Sequence, residues 1–421
     1  MRENKKKCRN MIISSTAITQ PIISFLGALR SYFLYSSMLP VWIITGFLVY
    51  PSYQQNNSTD NSTSTDDFDY SRCPTGCIFD GSILYSDSIK NFPKKCSTVC
   101  APDALYIGYE TDLTEKQLTS TFKNLKHLIG SLYMFRSKFK SASFLSGLET
   151  IECDNIGFFK ISLNDKMTEI GMPNLTNVSC RVEITANVKL LKLNLPLMKP
   201  MYSLTANYTR IDVDIENNSE NFCITIQEMS NLQSNKDIVF GLNGISGKYC
   251  PASKSDVALG TLCNIENSTL SEINSTCVNL VGDLIIDESN EEHVQKLNSV
   301  ESIFGSLTID NTNLTSIDFL SKLKNIVSLK ENHLAIRVEY NSELTNVSFP
   351  EIQRVESRVY VPIVFNNNSQ ELLMSPSFCN DIRNNLSGNK SWVVKFDNKR
   401  QSLSKKWNLH PQLGKNCRHI K

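Results

Sequence analysis

The chain has 421 residues, 41% of them hydrophobic and 20% charged, and a formal net charge of +1. That length suits two or three domains with cores of their own, and that hydrophobic share argues against global disorder. The balanced charge carries no basic footprint, so no nucleic-acid partner is expected.

The first residues are basic: Arg2, Lys5, Lys6, Lys7 and Arg9. A long stretch follows that is uncharged except for Arg30, with an apolar heart from Met38 to Tyr50. The heart is short for a membrane span and suits a signal h-region, whereas Tyr32 to Tyr53 is just long enough to cross a bilayer. Residues 1–53 therefore read as a signal peptide or as a retained signal-anchor, with the basic end inside and the rest outside. No second stretch of spanning length follows residue 60, so no C-terminal span is expected. Residues 54–72 are polar and lack a periodic apolar face, which reads as a disordered, glycosylated stalk.

Of 13 cysteines only Cys8 precedes residue 73, and the other 12 run from Cys73 to Cys417. An even set after a hydrophobic leader indicates an oxidised, exported domain. Asn-x-Ser/Thr sequons agree. They fall at Asn56, Asn57 and Asn61 in the stalk. Beyond it they fall at Asn174, Asn177, Asn207, Asn217, Asn267, Asn274, Asn313, Asn346, Asn367, Asn385 and Asn389.

The body of the chain repeats itself. Gly130, Ser131, Leu132, Phe144, Leu145, Leu148 and Ile151 match Gly305, Ser306, Leu307, Phe319, Leu320, Leu323 and Ile326 at one offset of 175. Thr168, Pro173 and Val178 match Thr345, Pro350 and Val355 at 177, and Phe222-Cys223 matches Phe378-Cys379. A unit this long is a domain.

Each unit holds a finer repeat of strand-like pieces, beginning in the first copy at Leu105, Leu132, Phe159, Arg181 and Ile211. Apolar residues alternate along each, as a strand with one buried face requires. A single rung cannot bury that face, but stacked rungs can, with Leu105, Leu132, Ile161, Val182 and Val213 as an interior column. Residues 114–122 read as a short helix with a residue at 114 suited to its N-cap.

The order of a cysteine, Leu-x-Ile, a short helix, Ile-x-Gly-Ser-Leu, Phe-Leu-x-x-Leu-x-x-Ile and a closing Phe-Cys resembles the receptor L domain of insulin and EGF receptor ectodomains. The two-copy layout is similar to the nematode stand-alone L-domain proteins. The resemblance covers about residues 96–250 and 263–417. It implies a mainly β fold with short helices: two right-handed β-helix, leucine-rich-repeat-like L domains, disulfide-capped. The expected bounds are a disulfide module at 73–100, a first L domain at 101–250, a linker or cap at 251–276 and a second L domain at 277–417. No furin-like region lies between the copies and no kinase follows, so a co-receptor, decoy or modulator is expected rather than a signalling receptor.

The repeat also pairs cysteines. Cys153 and Cys180 correspond to Ser328 and Ser357, and their joint replacement is what a bonded pair predicts. One coil apart in a stack, they lie within bonding range. Cys223–Cys250 and Cys379–Cys417 are expected to close the domain ends, and Cys263–Cys277 the start of the second copy. Cys73, Cys77, Cys96 and Cys100 form two further bonds of open connectivity. Cys-x3-Cys spacing with oxidation favours disulfides over a metal.

No catalytic motif occurs. His127, His293, His333, His410 and His419 lack metal spacing, and no nucleophile elbow or phosphate loop is present. The chain therefore reads as a non-enzyme without cofactors. Asp212, Asp214 and Glu216 fall at strand spacing on one face, where calcium is conceivable, but they read as a solvated strand face. If Leu105, Ile107, Leu132 and Met134 point inward, Tyr106, Tyr133 and Phe135 point outward. Those aromatics suit a peptide-binding patch, or else they pack under the N-terminal module or the other domain. The partners expected are a protein or peptide ligand, with membrane contact only through an uncleaved N-terminal segment. The alternative is an adhesive glycoprotein that pairs L domain to L domain.

Overall fold

The computed structural model describes residues 68–402, except 82, 154–156, 202–210, 236–237, 252–261, 267, 360–361, 375–392 and 397–398. The expected leader, most of the stalk, Cys8, Cys379, Cys417, Asn56, Asn57, Asn61, Asn207, Asn267, Asn385 and Asn389 lie outside the described residues.

Alternation decides the strands. In the run IDVDIE, Ile211, Val213 and Ile215 are buried while the acids between them are partly exposed, so one face must find a core. Each short strand also leaves edge amides that only a neighbouring coil satisfies. The first domain winds through β1 (Thr98–Cys100), β2 (Leu105–Gly108), β3 (His127–Ile129), β4 (Leu132–Phe135), β5 (Thr150–Glu152), β6 (Phe158–Ser162), β7 (Asn177–Val178), β8 (Arg181–Thr185), β9 (Lys199–Pro200) and β10 (Ile211–Glu216). It ends in β11 (Cys223–Ile224), β12 (Ile238–Ile245) and β13 (Lys248–Tyr249). Odd strands β1 to β9 form one five-stranded sheet, and even strands β2 to β12 form a six-stranded one, each in coil order. Pairing within both is parallel. Successive strands thus belong to different sheets, and the chain makes one coil per pair.

The second domain repeats the scheme. β14 (Leu262–Asn264), β15 (Asn279–Val281), β17 (Ser302–Phe304), β19 (Asn325–Val327) and β21 (Arg354–Glu356) form one sheet. β16 (Leu284–Ile286), β18 (Leu307–Asp310), β20 (Ile336–Glu339), β22 (Ile363–Asn366), β23 (Val393–Phe396) and β24 (Lys399–Ser402) form the other, whose last pair is antiparallel. β14 falls in the stretch read from sequence as a linker, yet it pairs with β15.

The interior column runs Leu105, Leu132, Phe159, Val182, Val213. Ile161, placed there from sequence, stands one inward position on, beside Met134 and Ile184. The strand begins at Phe158 rather than Phe159, and Phe159 therefore takes the register position opposite Leu132. Helix α1 (Glu115–Phe122) is capped by Thr114 with a reciprocal bond from Gln117, and buries Leu118 and Phe122. Helix α2 (Ile226–Gln233) is capped the same way by Thr225 and Glu228.

One device recurs at seven turns off the even-numbered strands. The residue after the strand takes a left-handed backbone: Arg136, Leu163, Ala186 and Asn217 in the first copy, Asn311, Tyr340 and Asn367 in the second. The next residue points inward and is polar. Asn164 Oδ1 accepts from the Ser137 amide at 2.8 Å, Asn187 Oδ1 from the Asn164 amide at 3.0 Å, and Asn218 Oδ1 from the Asn187 amide at 3.0 Å. Each Nδ2 donates back to the preceding coil, to the carbonyls of Met134, Ile161 and Ile184. Thr312, Asn341 and Asn368 build the same ladder in the second domain. Corner amides that the sheets cannot pair are satisfied this way.

The glycine shared by the copies has a local reason. A Cβ on Gly130 would strike the Ala101 carbonyl, and one on Gly305 would strike that of Gly282.

Disulfides join Cys153 to Cys180, Cys223 to Cys250 and Cys263 to Cys277. At the N-terminal end Cys73 bonds Cys100 and Cys77 bonds Cys96. These two hold a small module on the first coil, where Ile78 bridges to Cys100 and Ile83 to Tyr106. Arg72 pairs with Glu152 across it.

The end of the first domain packs on the second. Val281, Phe304, Val327 and Leu329 belong to the same apolar cluster as Met229 and Ile245. The Tyr249 ring meets Phe304 edge-on at 5.5 Å, and its hydroxyl donates to the Val327 carbonyl at 3.0 Å. Tyr249 keeps some exposed area, but burial pushes its phenol well above the ordinary value. Arg354, 4% exposed, donates to the Asn235 carbonyl at 2.8 Å and lies 3.4 Å from Glu356.

Asp283 ties two coils of the second domain. It accepts from the Ser306 amide and hydroxyl at 3.0 and 2.8 Å and pairs with Lys330 at 2.6 Å. Burial alone would raise its pKa, but the bonds from Lys330 and Ser306 outweigh burial and hold it below the ordinary aspartate value. A carboxylate whose pKa falls on folding stabilises above its unfolded pKa, and that stability is lost as pH drops through the folded one. Asp283→Asn should therefore flatten the acid limb of stability against pH below about pH 4, measured by denaturant unfolding across pH 2–7.

Candidate ligand-binding face

The outward side of the six-stranded sheet of the first domain is built by the same alternation that fills the core. Where β2 to β10 turn one residue inward, the next faces solvent. Parallel register then aligns these residues across coils. Ile83, Tyr106, Tyr133, Lys160, Glu183 and Asp214 form one column. Phe158 and Arg181 are partners in the column beside it, and Gly108, Phe135, Ser162 and Thr185 form the column on the other side.

Chemistry changes along the stack. At the N-terminal end the face is aromatic. Tyr106 and Tyr133 have ring centroids 6.3 Å apart, and Tyr133 and Phe158 6.1 Å. All three are partly exposed, and Ile83 is exposed beside them. Burial raises the Tyr133 phenol above its ordinary value, partly offset by a hydrogen bond to Ser131. Gly108 leaves room for a ring: any side chain there would strike the Tyr106 ring.

Beyond the rings the face is charged and paired. Arg181 stacks over Phe158 at 5.7 Å and reaches Asp214 at 3.1 Å. Lys160 meets Glu183 at 2.6 Å. Asp214 is thus held by a guanidinium, and among the described residues no cluster of three or more His, Cys, Asp or Glu is placed to hold a metal.

Of the residues singled out from sequence, Tyr106 and Tyr133 share one column and Phe135 stands in the next, with Arg136 over its ring at 5.3 Å. Sequence reasoning missed Ile83 and Phe158. Phe158 was legible as the residue alternating with Lys160, had the strand been started one residue earlier. Ile83 lies in the stapled module, where no periodicity marks it.

The equivalent face of the second domain lacks the rings. Ile285, 54% exposed, and Thr308 occupy the tyrosine positions. Arg337 lies 3.7 Å from Asp310 and 3.8 Å from Glu339 there. Sequons are also unevenly disposed, since none lies between Asn61 and Asn174. Of the described sequon residues of the first domain, Asn217 sits at the corner after β10, while Asn174 lies just before β7 and Asn177 within it, in the other sheet.

No helix among the described residues is long and apolar enough to cross a membrane. The curated proteins hold no match to the chain. The family model for the receptor L domain matches residues 95–203 and 276–384, more than half of the 421 residues. This is a family of ligand-binding, non-enzymatic receptor domains, and with the disulfides it places the protein outside the cell. A chain of parallel coils that matches the same model twice, at the two regions its internal repeat marks out, belongs to the receptor L domain family.

Proposed function

We propose that the protein is an extracellular glycoprotein that captures a secreted peptide, insulin-like or another, on the aromatic face of its first L domain. It acts there as a co-receptor, decoy or modulator. The observation that supports this most is the asymmetry between the copies: the rings of Tyr106, Tyr133 and Phe158, with Ile83 beside them, form a partly exposed strip on one, and Ile285 and Thr308 stand at the tyrosine positions of the other. Large rings on a rigid sheet bind at little entropic cost, and such anchors carry most of an interface's energy. The same reading takes both stacks as right-handed, following the general handedness of parallel crossovers. It keeps residues 101–250 and 277–417 as the two domain spans.

The test is a pull-down of secreted peptides by the protein made in an oxidising secretory pathway, beside the double variant Tyr106→Ser, Tyr133→Ser. A retained peptide should bind the variant more than about 30-fold more weakly, at roughly 2 kcal/mol or more for the lost anchors, with thermal stability unchanged. Equal retention by both proteins removes the aromatic face from the reading. Capture of a second L-domain protein and no peptide replaces it with an adhesive role.

A further inference from the structure

A groove of about 580 Å³ opens at the corner beyond the aromatic strip, lined by Tyr109, Arg136, Ser137, Lys138, Leu163, Asp165 and Lys166. Three cations face one carboxylate in it. None of the three stands in an ion pair among the described residues. Arg136 and Lys138 are instead propped over the rings of Phe135 and Phe139 at 5.3 and 5.8 Å. Asp112, the further carboxylate whose charge acts on Lys138, is engaged by the Ser86 amide at 2.8 Å.

The backbone fixes this arrangement. Arg136 and Leu163 are left-handed corner residues of adjacent coils, and the Asn164 side chain clamps the Ser137 amide beneath them. Ser137 is 4% exposed, and its hydroxyl, at the groove wall, has no hydrogen-bond partner. A buried hydroxyl without a partner costs free energy unless a ligand supplies one. Tyr109, 64% exposed, offers a ring at the rim.

From this we infer that the groove is a binding site for a sulfated saccharide. Sulfate esters stay ionised at every physiological pH, so they match a groove in which three cations outnumber one carboxylate. Basic runs such as Arg136-Ser-Lys-Phe-Lys140 are the sequence form of such polyanion patches. The exposed Tyr109 ring suits the flat face of a sugar, and Asp165 a sugar hydroxyl. The groove is partly open to solvent. It is separate from the tyrosine strip, so one site can fail while the other stands.

The test uses the intact secreted protein on immobilised heparin and on N- and O-desulfated heparin. Variants are the triple Arg136→Gly, Lys138→Gln, Lys166→Gln, the single Ser137→Ala, and a control, Lys116→Gln, Lys123→Gln. Glycine keeps the left-handed corner at 136 unstrained. The parent should bind heparin and not the desulfated polymer. The triple variant should bind about 10- to 100-fold more weakly, with a shallower salt dependence, as fewer counterions are released. Ser137→Ala should weaken binding about threefold with that salt slope unchanged, the size of one neutral hydrogen bond, and the control should match the parent. Equal retention of parent and triple variant, or equal retention on desulfated heparin, overturns the proposal.

Discussion

Asn187→Ala should lower unfolding free energy by about 3 kcal/mol, among the largest effects of any single polar substitution in the protein. Asn187 is fully buried. Its Oδ1 accepts from the Asn164 amide and side chain at 3.0 Å each, and its Nδ2 donates to the Ile161 carbonyl at 3.0 Å and to Asn218 at 3.1 Å. Alanine leaves an amide and a carbonyl buried without partners, each costing about 1–3 kcal/mol, and it opens a small cavity. The effect should spread beyond the site, because the Asn164 amide group loses a partner while it still serves Ser137. Urea unfolding with a secondary-structure readout measures the loss. Asn187→Asp separates the two halves of the interaction: it keeps the acceptor, removes the donor and buries a charge, so it should be no milder than alanine. A cost below about 1 kcal/mol for alanine would show that the ladder is ornament rather than support.

The second large effect lies between the domains. Arg354→Ala should cost about 3 kcal/mol, since breaking a buried charged pair by removing one member typically costs about 3–5 kcal/mol. Glu356 loses a guanidinium 3.4 Å away and the Asn235 carbonyl loses a donor. Tyr249→Ala at the same contact removes an aromatic pair and the bond to Val327. If the contact couples the domains, calorimetry should show one unfolding transition in the parent and two in the Arg354→Ala, Tyr249→Ala protein. A single transition in both would mean that the two stacks unfold together for another reason. Arg354→Lys should recover little, because an ammonium cannot reach both partners with fixed geometry.

These contrasts show what the sequence made legible. Apolar residues at every second position of β4, β6 and β10 announced strands, and the matched Gly130 and Gly305 announced a second copy. The ladder was also written there, since Asn164, Asn187 and Asn218 each fall three residues after an inward isoleucine, at 161, 184 and 215. It went unread because one polar residue per coil is lost among long polar loops until the inward direction is known. The domain contact has no local signature at all. Arg354 and Asn235 are 119 residues apart, and a buried arginine in a strand looks like any surface arginine. Of the aromatic strip, alternation gave Tyr106 and Tyr133. Ile83 joined them only because two disulfides fold a separate segment into line.

That stapled segment has a further consequence. A stack of coils is a sheet that ends in open edges, and an open edge is a template for strands of other chains. Here the leading edges, at β1 and β2, are shielded by single bridges from Ile78 and Ile83, kept in place by Cys73–Cys100 and Cys77–Cys96. Reduction would bare those edges while the ladder and core still hold the coils behind them. The molecule would then be folded yet expose a template for strands of other chains. The oxidising space outside the cell thus keeps the protein soluble as much as it keeps it stable.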